Sequence, residues 1–434
     1  MQKKVKVAVV GAGSFVFGPA VLQQICEFGL SDVELVLMDV DSGVLELMAA
    51  VGERMVREAG LQTQISATTK LASALDGADF VVCCAAPQMR SRHEIDRTLI
   101  QRHYPETPIT EFGGLAGLSY SLRQMAFVRE LAVAMKQHCP NAWLLSVSNP
   151  LPRVCQAAHE TGIKTAGFCY YALAVYHKLL SILDLPPEPF PWTEARRKFV
   201  ATIGGLNHFS WICELNDGDS NADLMPRLRS ALEEGRTAGN PRCEAVSRRT
   251  GYFLIGADDH VASDFLAPEN GVTPGYHSPF HGNDEDRRER LQSLREYSVG
   301  EGSVAAVTKD SAWEKPLEFL AGLAFGYPAS FPTLNLINEG QIPNLPREVF
   351  VQTACDITGS TLQPQSVTLP ETVLPYCENV AAVTAAIVRA GRTREKRAIL
   401  DVIDLDPTIV DKTRGRLVAN DILEAHADVI GTFR

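Results

Sequence analysis

The sequence predicts an α/β protein, with a doubly wound parallel sheet in its first part and a second, α+β part after it. Three observations carry this reading. Apolar, β-branched runs recur at residues 5–10, 33–39, 80–85, 143–148 and 164–170. Helical patterns fall between them, and near residue 190 the composition changes. Apolar runs without alternation mark strands buried on both faces, and a succession of such strands and helices builds crossover units.

The first unit is the most informative. Residues 5–10 enter Gly11-Ala12-Gly13-Ser14-Phe15, a helix is expected over 21–28, and the second run ends on Asp39. A glycine turn after a strand lets the backbone approach a pyrophosphate, the next helix N-terminus offers free N–H groups, and the acid can take ribose hydroxyls. The third glycine of the usual pattern is displaced, since Val16 stands there and the next glycine is Gly18. Gly11, Gly13, Ser14, Phe15 and Asp39 are the candidate cofactor contacts, and an acid at position 39 favours NAD over NADP.

A helix to about residue 59, a short polar strand at 63–69, a helix stopped by Gly77 and the strand at 80–85 repeat the unit. The segment 86–117 breaks the rhythm. It carries Arg90, Arg92, His93, Glu94, Asp96, Arg97 and Arg102, closes in a glycine cluster, and reads as a long loop leaving the carboxyl end of a strand, where ligands bind. Then come a helix at 122–138, a strand ending in Asn149-Pro150, a helix at 154–161 and a strand reaching Cys169 and Tyr170.

Pro186, Pro187, Pro189 and Pro191 mark the boundary, giving parts 1–190 for the dinucleotide and 191–434 for metal and substrate. Beyond it, 198–212 is strand-like around Gly204-Gly205-Leu206-Asn207-His208, and helices are expected at 223–234 and 287–297 with a loop-rich stretch, 256–283, between them. The mixed charges at 284–290 read as a solvated helix start. Paired strands are expected over 337–369 and helices from 374 to the end.

A net charge of -11 argues against nucleic-acid or anionic-membrane partners, because phosphates would be repelled on average. No uninterrupted apolar run is long enough to span a bilayer, and the start of the chain lacks a signal-peptide pattern. Ten cysteines, several inside strand-like runs, fit reduced buried thiols, so a cytoplasmic enzyme is expected.

Three residues converge on the carboxyl edge of the sheet: Asn149, Cys169 and, from beyond the boundary, His208. A thiolate and an imidazole beside a nicotinamide pocket suggest a two-ligand metal site whose other positions stay open to substrate, as Lewis-acid catalysis requires.

At these residues the chain resembles glycoside hydrolase family 4. Gly11 to Ser14, the loop with Arg92, Glu111 to Gly117 with Arg123 beyond, Ser148-Asn149-Pro150, Gly167-Phe168-Cys169, Gly205 to Phe209 and the late Asn338 to Pro346 match it in order. The resemblance implies a lactate/malate dehydrogenase-like fold and an NAD- and metal-dependent glycosidase. Hydride leaves sugar C3, a metal spans the C2 and C3 oxygens, a base takes the C2 proton, the C1 oxygen is expelled, water adds and the hydride returns. It implies that Cys169 and His208 hold the metal, manganese in the family, that Asn149, Arg92, Asn207 and Tyr170 face the sugar, and that the protein is a dimer or tetramer. Softness rules alone would favour zinc, iron or cobalt.

In the same comparison Glu111 takes the place of the general acid. The base is sought in Gly256-Ala257-Asp258-Asp259-His260, with Asp259 preferred, Asp258 the alternative, and Tyr252 or Tyr276 also open. Two departures bear on the substrate: Tyr170 stands where many members have histidine after the metal cysteine, and Leu115 replaces a proline of the glycine cluster. The expected substrate is a glycoside of a sugar with phosphate, carboxylate or sulfonate at C6, sulfoquinovose included, with Arg90 or Arg92 as the forked partner. Two other readings stay open at this level: a 2-hydroxyacid dehydrogenase using His208 and Arg92 or Arg102, and an inactive NAD sensor.

Overall fold

The structure, a computed structural model, describes residues 4–174, 176–185, 199–236, 238–268, 284–309 and 314–434. Its first six strands are β1 (Val5–Val10), β2 (Val33–Met38), β3 (Gln64–Thr68), β4 (Phe80–Cys83), β5 (Trp143–Ser146) and β6 (Lys164–Gly167). They pair in parallel in the order β3-β2-β1-β4-β5-β6. The connections are α1 (Phe17–Glu27), α2 (Ser42–Glu58), α3 (Leu71–Leu75), the pair α4 (Met89–His103) and α5 (Gly114–His138), and α6 (Leu151–His159). Between β1 and β4 the chain reverses its direction of travel across the sheet, which opens a crevice at the strands' carboxyl ends.

The later strands extend this sheet. They are β7 (Phe199–Leu206), β8 (Phe209–Asp217), β9 (Phe253–Ile255), β10 (Ala329–Ile337), β11 (Phe350–Thr358) and β12 (Thr361–Pro364). β10 joins β6 antiparallel through Asn335 and Gly167, and β11 carries the sheet on to β7 through Gln352–Gly205 and Thr353–Gly204. The end of β6, with Cys169 just beyond it, and the β7–β8 hairpin thus lie in one continuous sheet.

Four expectations need correction. The segment read as a loop contains α4, which gave no apolar signal because its buried positions are His93, Asp96 and Ile100. α5 begins at Gly114, well before residue 122, since its first three turns are buried all round and show no amphipathic stripe. The helix Pro241–Thr250 was not foreseen; its polar sequence hides its buried face. α1 starts at Phe17. The proline-rich boundary segment lies outside the described residues. The closing helices, Leu374–Thr393, Lys396–Leu405 and Lys412–Ala425, return to the first half, where Ile387, Val402 and Ile422 share a core with Leu118, Met125 and Val128 of α5. Among the described residues no helix is long and apolar enough to cross a membrane.

Candidate active site

The glycine turn is built as its chemistry requires. Gly11 has φ of +86°, and a Cβ there would come within 2.6 Å of the Ala85 nitrogen, so neither strain nor space permits a side chain. Asp39 Oδ2 accepts from the Gly13 amide at 2.9 Å and Oδ1 from the Asp41 amide at 3.2 Å, which fixes the carboxylate at the lip of the crevice. Ser14 Oγ accepts from the Phe17 amide at 3.2 Å at the start of α1. All five predicted cofactor residues line a cleft of about 700 Å³, and Val40, 86% exposed, gives it an apolar edge beside Asp39. An elongated dinucleotide matches a cleft of that size with an acid at one end.

The cleft also reaches Glu111, Tyr120, Ser148 and Asn149. Glu111 is 6% exposed, and Asn149 Nδ2 donates to its Oε1 at 3.0 Å. Burial, with the nearby Asp264 charge adding to it, pushes the Glu111 carboxyl up to about 8, so that it carries a proton at neutral pH.

Cys169 and His208 meet across the seam between the two halves, Sγ to Nε2 at 3.2 Å, both buried. His208 occupies the second position of the two-residue β7–β8 turn with φ of +61°, a left-handed conformation unfavourable for a histidine. Tyr171 stacks on its ring at 4.6 Å and Phe112 leans on it at 4.3 Å, so the neighbours hold the imidazole toward the sulfur. At ordinary ligand lengths, two such donors on one cation stand about 3.1 Å apart at a right angle and about 3.6 Å apart at the tetrahedral angle. The observed spacing lies within the range that two donors on one cation span. Burial pushes the Cys169 thiol up to about 12; a cation is what would make it a thiolate at neutral pH. Among the described residues no group of three or more His, Cys, Asp or Glu side chains gathers around one point, so this pair leaves the remaining positions open.

Other predicted residues lie elsewhere. Asp258 is committed to structure, since its oxygens accept from the Arg242 and Cys243 amides at 2.8 and 2.9 Å and so close the start of the helix Pro241–Thr250. Asp259 is exposed, and its charge is felt by Tyr171 and Lys178. Arg92 is not a cleft residue. Its guanidinium forks onto Asp428, with Nη1 to Oδ1 at 2.9 Å, which turns it toward the closing helices. Asn207, 1% exposed, donates to Gln352 Oε1 at 3.0 Å and sits beside the Cys169 sulfur. Tyr170 is buried in the core of the second half, and its amide donates to Glu314 at 3.3 Å. Tyr252 lies under the Arg229 guanidinium, and Tyr276 lies outside the described residues.

The structure adds residues that the sequence reading passed over. Arg287 and Arg290, from the charge run read as solvated, line the cleft beside Arg90, with Arg287 over the Phe15 ring at 5.2 Å and Arg90 paired to Asp284 at 2.9 Å. Asp264 Oδ1 accepts from the amides of Phe112 and Gly113 at 2.8 and 2.7 Å. Its spacing of four from His260 was the available signal, because i,i+4 places two side chains on one helical face. A Cβ on Gly113 would lie 2.1 Å from the Asp264 carbonyl oxygen. Gly113→Ala is therefore expected to destabilise the fold by about 1–3 kcal/mol and to lower turnover by moving Glu111; thermal unfolding and kcat on the same preparation check it.

Comparison with known proteins follows the same lines. Residues 6–185 match a family described as family 4 glycosyl hydrolase, and residues 203–409 match that family's C-terminal domain. The maltose-6'-phosphate glucosidase of Bacillus subtilis (strain 168) is 23% identical over 452 residues, covering 99% of this chain and 97% of its own length. The alpha-galacturonidase of the same organism is 23% identical over 445 residues, with 97% of each covered. A 6-phospho-alpha-glucosidase from gut microorganisms, solved with NAD and Mn2+, superposes with a TM-score of 0.78 at 18% identity over the whole of both chains. The malate dehydrogenase of Plasmodium falciparum superposes at 0.51 and 15% identity, over 92% of this chain and 99% of its own. These superpositions establish a lactate/malate dehydrogenase-like fold.

Proposed function

The chain belongs to glycosyl hydrolase family 4, a glycoside hydrolase family, and from that premise we propose that it cleaves glycosides of a C6-anionic sugar with the help of NAD and a divalent metal, Mn2+ being our choice. The observation that carries the reading is the Cys169–His208 pair, 3.2 Å apart at the seam, with Glu111 and Asn149 at the inner end of the dinucleotide cleft. The hydroxyacid dehydrogenase alternative shares the fold, but its chemistry needs no thiol beside the imidazole.

In this reading Gly11, Gly13, Ser14, Phe15 and Asp39 hold the dinucleotide, and Cys169 and His208 hold the metal. When bound, the dinucleotide supplies a hydride acceptor and donor and the metal supplies a Lewis acid. The residues of the chain handle the protons. Glu111, protonated through neutrality, donates to the leaving oxygen at C1, oriented by Asn149. Asp259, which unlike Asp258 closes no helix, takes the proton from C2. Arg90, Arg287 and Arg290 offer forked donors to a phosphate, carboxylate or sulfonate at C6, and the phosphate and uronate relatives support that range. We retain the division near residue 190, with cofactor residues before it and imidazole and base after it. A cytoplasmic setting belongs to the same proposal, all ten cysteines being free. So does a dimeric or tetrameric assembly.

Hydrolysis in deuterated water tests the chemistry directly. Proton removal from C2 is expected to leave deuterium at C2 of the released sugar, read by NMR or mass spectrometry. A product without it would contradict the elimination step.

A further inference from the structure

Glu111 sits on a turn whose backbone is held by charged groups from three distant segments. Asp264 Oδ1 takes the amides of Phe112 and Gly113, and Asp406 Oδ2 takes the next amide, that of Gly114, at 2.9 Å. From the other side Arg153 Nη1 donates to the Phe112 carbonyl at 2.6 Å and to Ser121 Oγ at 2.7 Å. Asp264, Asp406 and Arg153 are all almost wholly buried. Buried carboxylates without charge partners are costly, and here the guanidinium and the N-terminal end of the 25-residue α5 supply positive charge. The other Asp264 oxygen, Oδ2, faces His260 Nδ1 at 3.7 Å.

This arrangement exceeds what ending a helix requires, because one N-cap side chain would suffice for that. We propose that Asp264 is a positioning residue for the reaction: it clamps the Phe112–Gly113 backbone so that Glu111 faces the cleft. Burial is the main cause that holds the Glu111 carboxyl in the acid form, and the Asp264 charge adds to it. The clamp rests on the general-acid reading of Glu111 and deepens it. The Arg153 charge eases the burial of Asp264, and Asp406 extends the hold by one residue. The same clamp sets Phe112, whose ring leans on the His208 imidazole, so one carboxylate aligns proton donor and metal ligand together. The titratable groups whose charges couple to Glu111 are Asp264, Tyr120 and Cys169, and those facing Asp264 are Arg153, His260 and Glu111.

The test uses the full chain with NAD and Mn2+ added and needs no substrate. The infrared difference between wild type and Glu111→Gln isolates the protonated-carboxyl band of Glu111, whose loss with rising pH gives a midpoint. Asp264→Asn keeps an oxygen to accept both amides but removes the charge, and its midpoint is expected to fall by about one pH unit. Asp264→Ala is expected to speed hydrogen exchange at the Phe112 and Gly113 amides by about tenfold or more. Should Asp264→Ala fail to fold, Asp264→Asn still decides the matter. An unmoved midpoint in Asp264→Asn overturns the proposal, as does unchanged exchange in a folded Asp264→Ala. Failure of the general-acid reading looks different, since Glu111→Gln would then turn over glycosides as wild type does whatever happens at Asp264.

Discussion

Cys169→Ser is expected to abolish metal-dependent turnover, with kcat falling by on the order of 10³ or more, because the electrostatic help of a bound cation is worth several kcal/mol. The replacement swaps a sulfur for an oxygen that stays protonated and binds cations weakly. It follows the end of β6 and leaves the neighbouring backbone pairing intact, so the fold should survive. Two measurements separate the outcomes. Titration of the metal-depleted enzyme with Mn2+, followed by water-proton relaxation, should show tight binding in wild type and none in the variant. Turnover in wild type should vanish in a chelator and return with Mn2+. Full activity of Cys169→Ser, or of wild type in chelator, would remove the metal from the mechanism. Since ligation requires the thiol to lose its proton, Mn2+ affinity in wild type should rise with pH.

Glu111→Gln is expected to lower kcat by about 10²–10⁴ for glycosides with poor leaving groups. The loss should be far smaller for an activated aryl glycoside, whose departure needs little proton transfer. The pH profile carries the same information. A general acid must be protonated, so wild-type activity should fall as pH rises through about 8, and the variant should lack that alkaline limb. The substitution also separates stability from activity. The folded-state carboxyl titrates above its ordinary value, so the stability it contributes is complete below about pH 4.5 and is lost as pH rises toward 8. Glutamine cannot ionise. Above pH 8 the variant should therefore be the more stable protein by a few kcal/mol, since each tenfold change in proton affinity on folding is worth about 1.4 kcal/mol, while near pH 4.5 the two should unfold alike. Equal thermal stability at both pH values would show that Glu111 is solvated and unsuited to its assigned role. Such a trade of stability for function is common at active sites.

The corrections share a cause. Apolar periodicity reveals an element only when its buried face is apolar and its other face is not. α4 buries a histidine and an aspartate, and the first turns of α5 bury every side, so both escaped notice. Asp258 and Arg92 carry the right chemistry, but their partners, the amides of residues 242 and 243 and the carboxylate of Asp428, are invisible along the chain. The arginines at 287 and 290 were passed over because alternating charges on a helix usually face water, and only the packing of that helix against α2 brings them to the cleft.

What the sequence determined by itself are the features written within a single short unit: the strand, Gly11-Ala12-Gly13 and Asp39, whose spacing is preserved by one crossover, and the ordered motifs that mark the family. It also put Cys169 and His208 forward as a pair from separate halves. Tertiary structure alone decided that sulfur and imidazole stand 3.2 Å apart, and that residues 153, 264 and 406 grip the turn bearing Glu111. The reason is physical. Spacing along a chain constrains distance only over a few residues, whereas contacts across more than a hundred are set by how whole layers pack, and no local pattern records that.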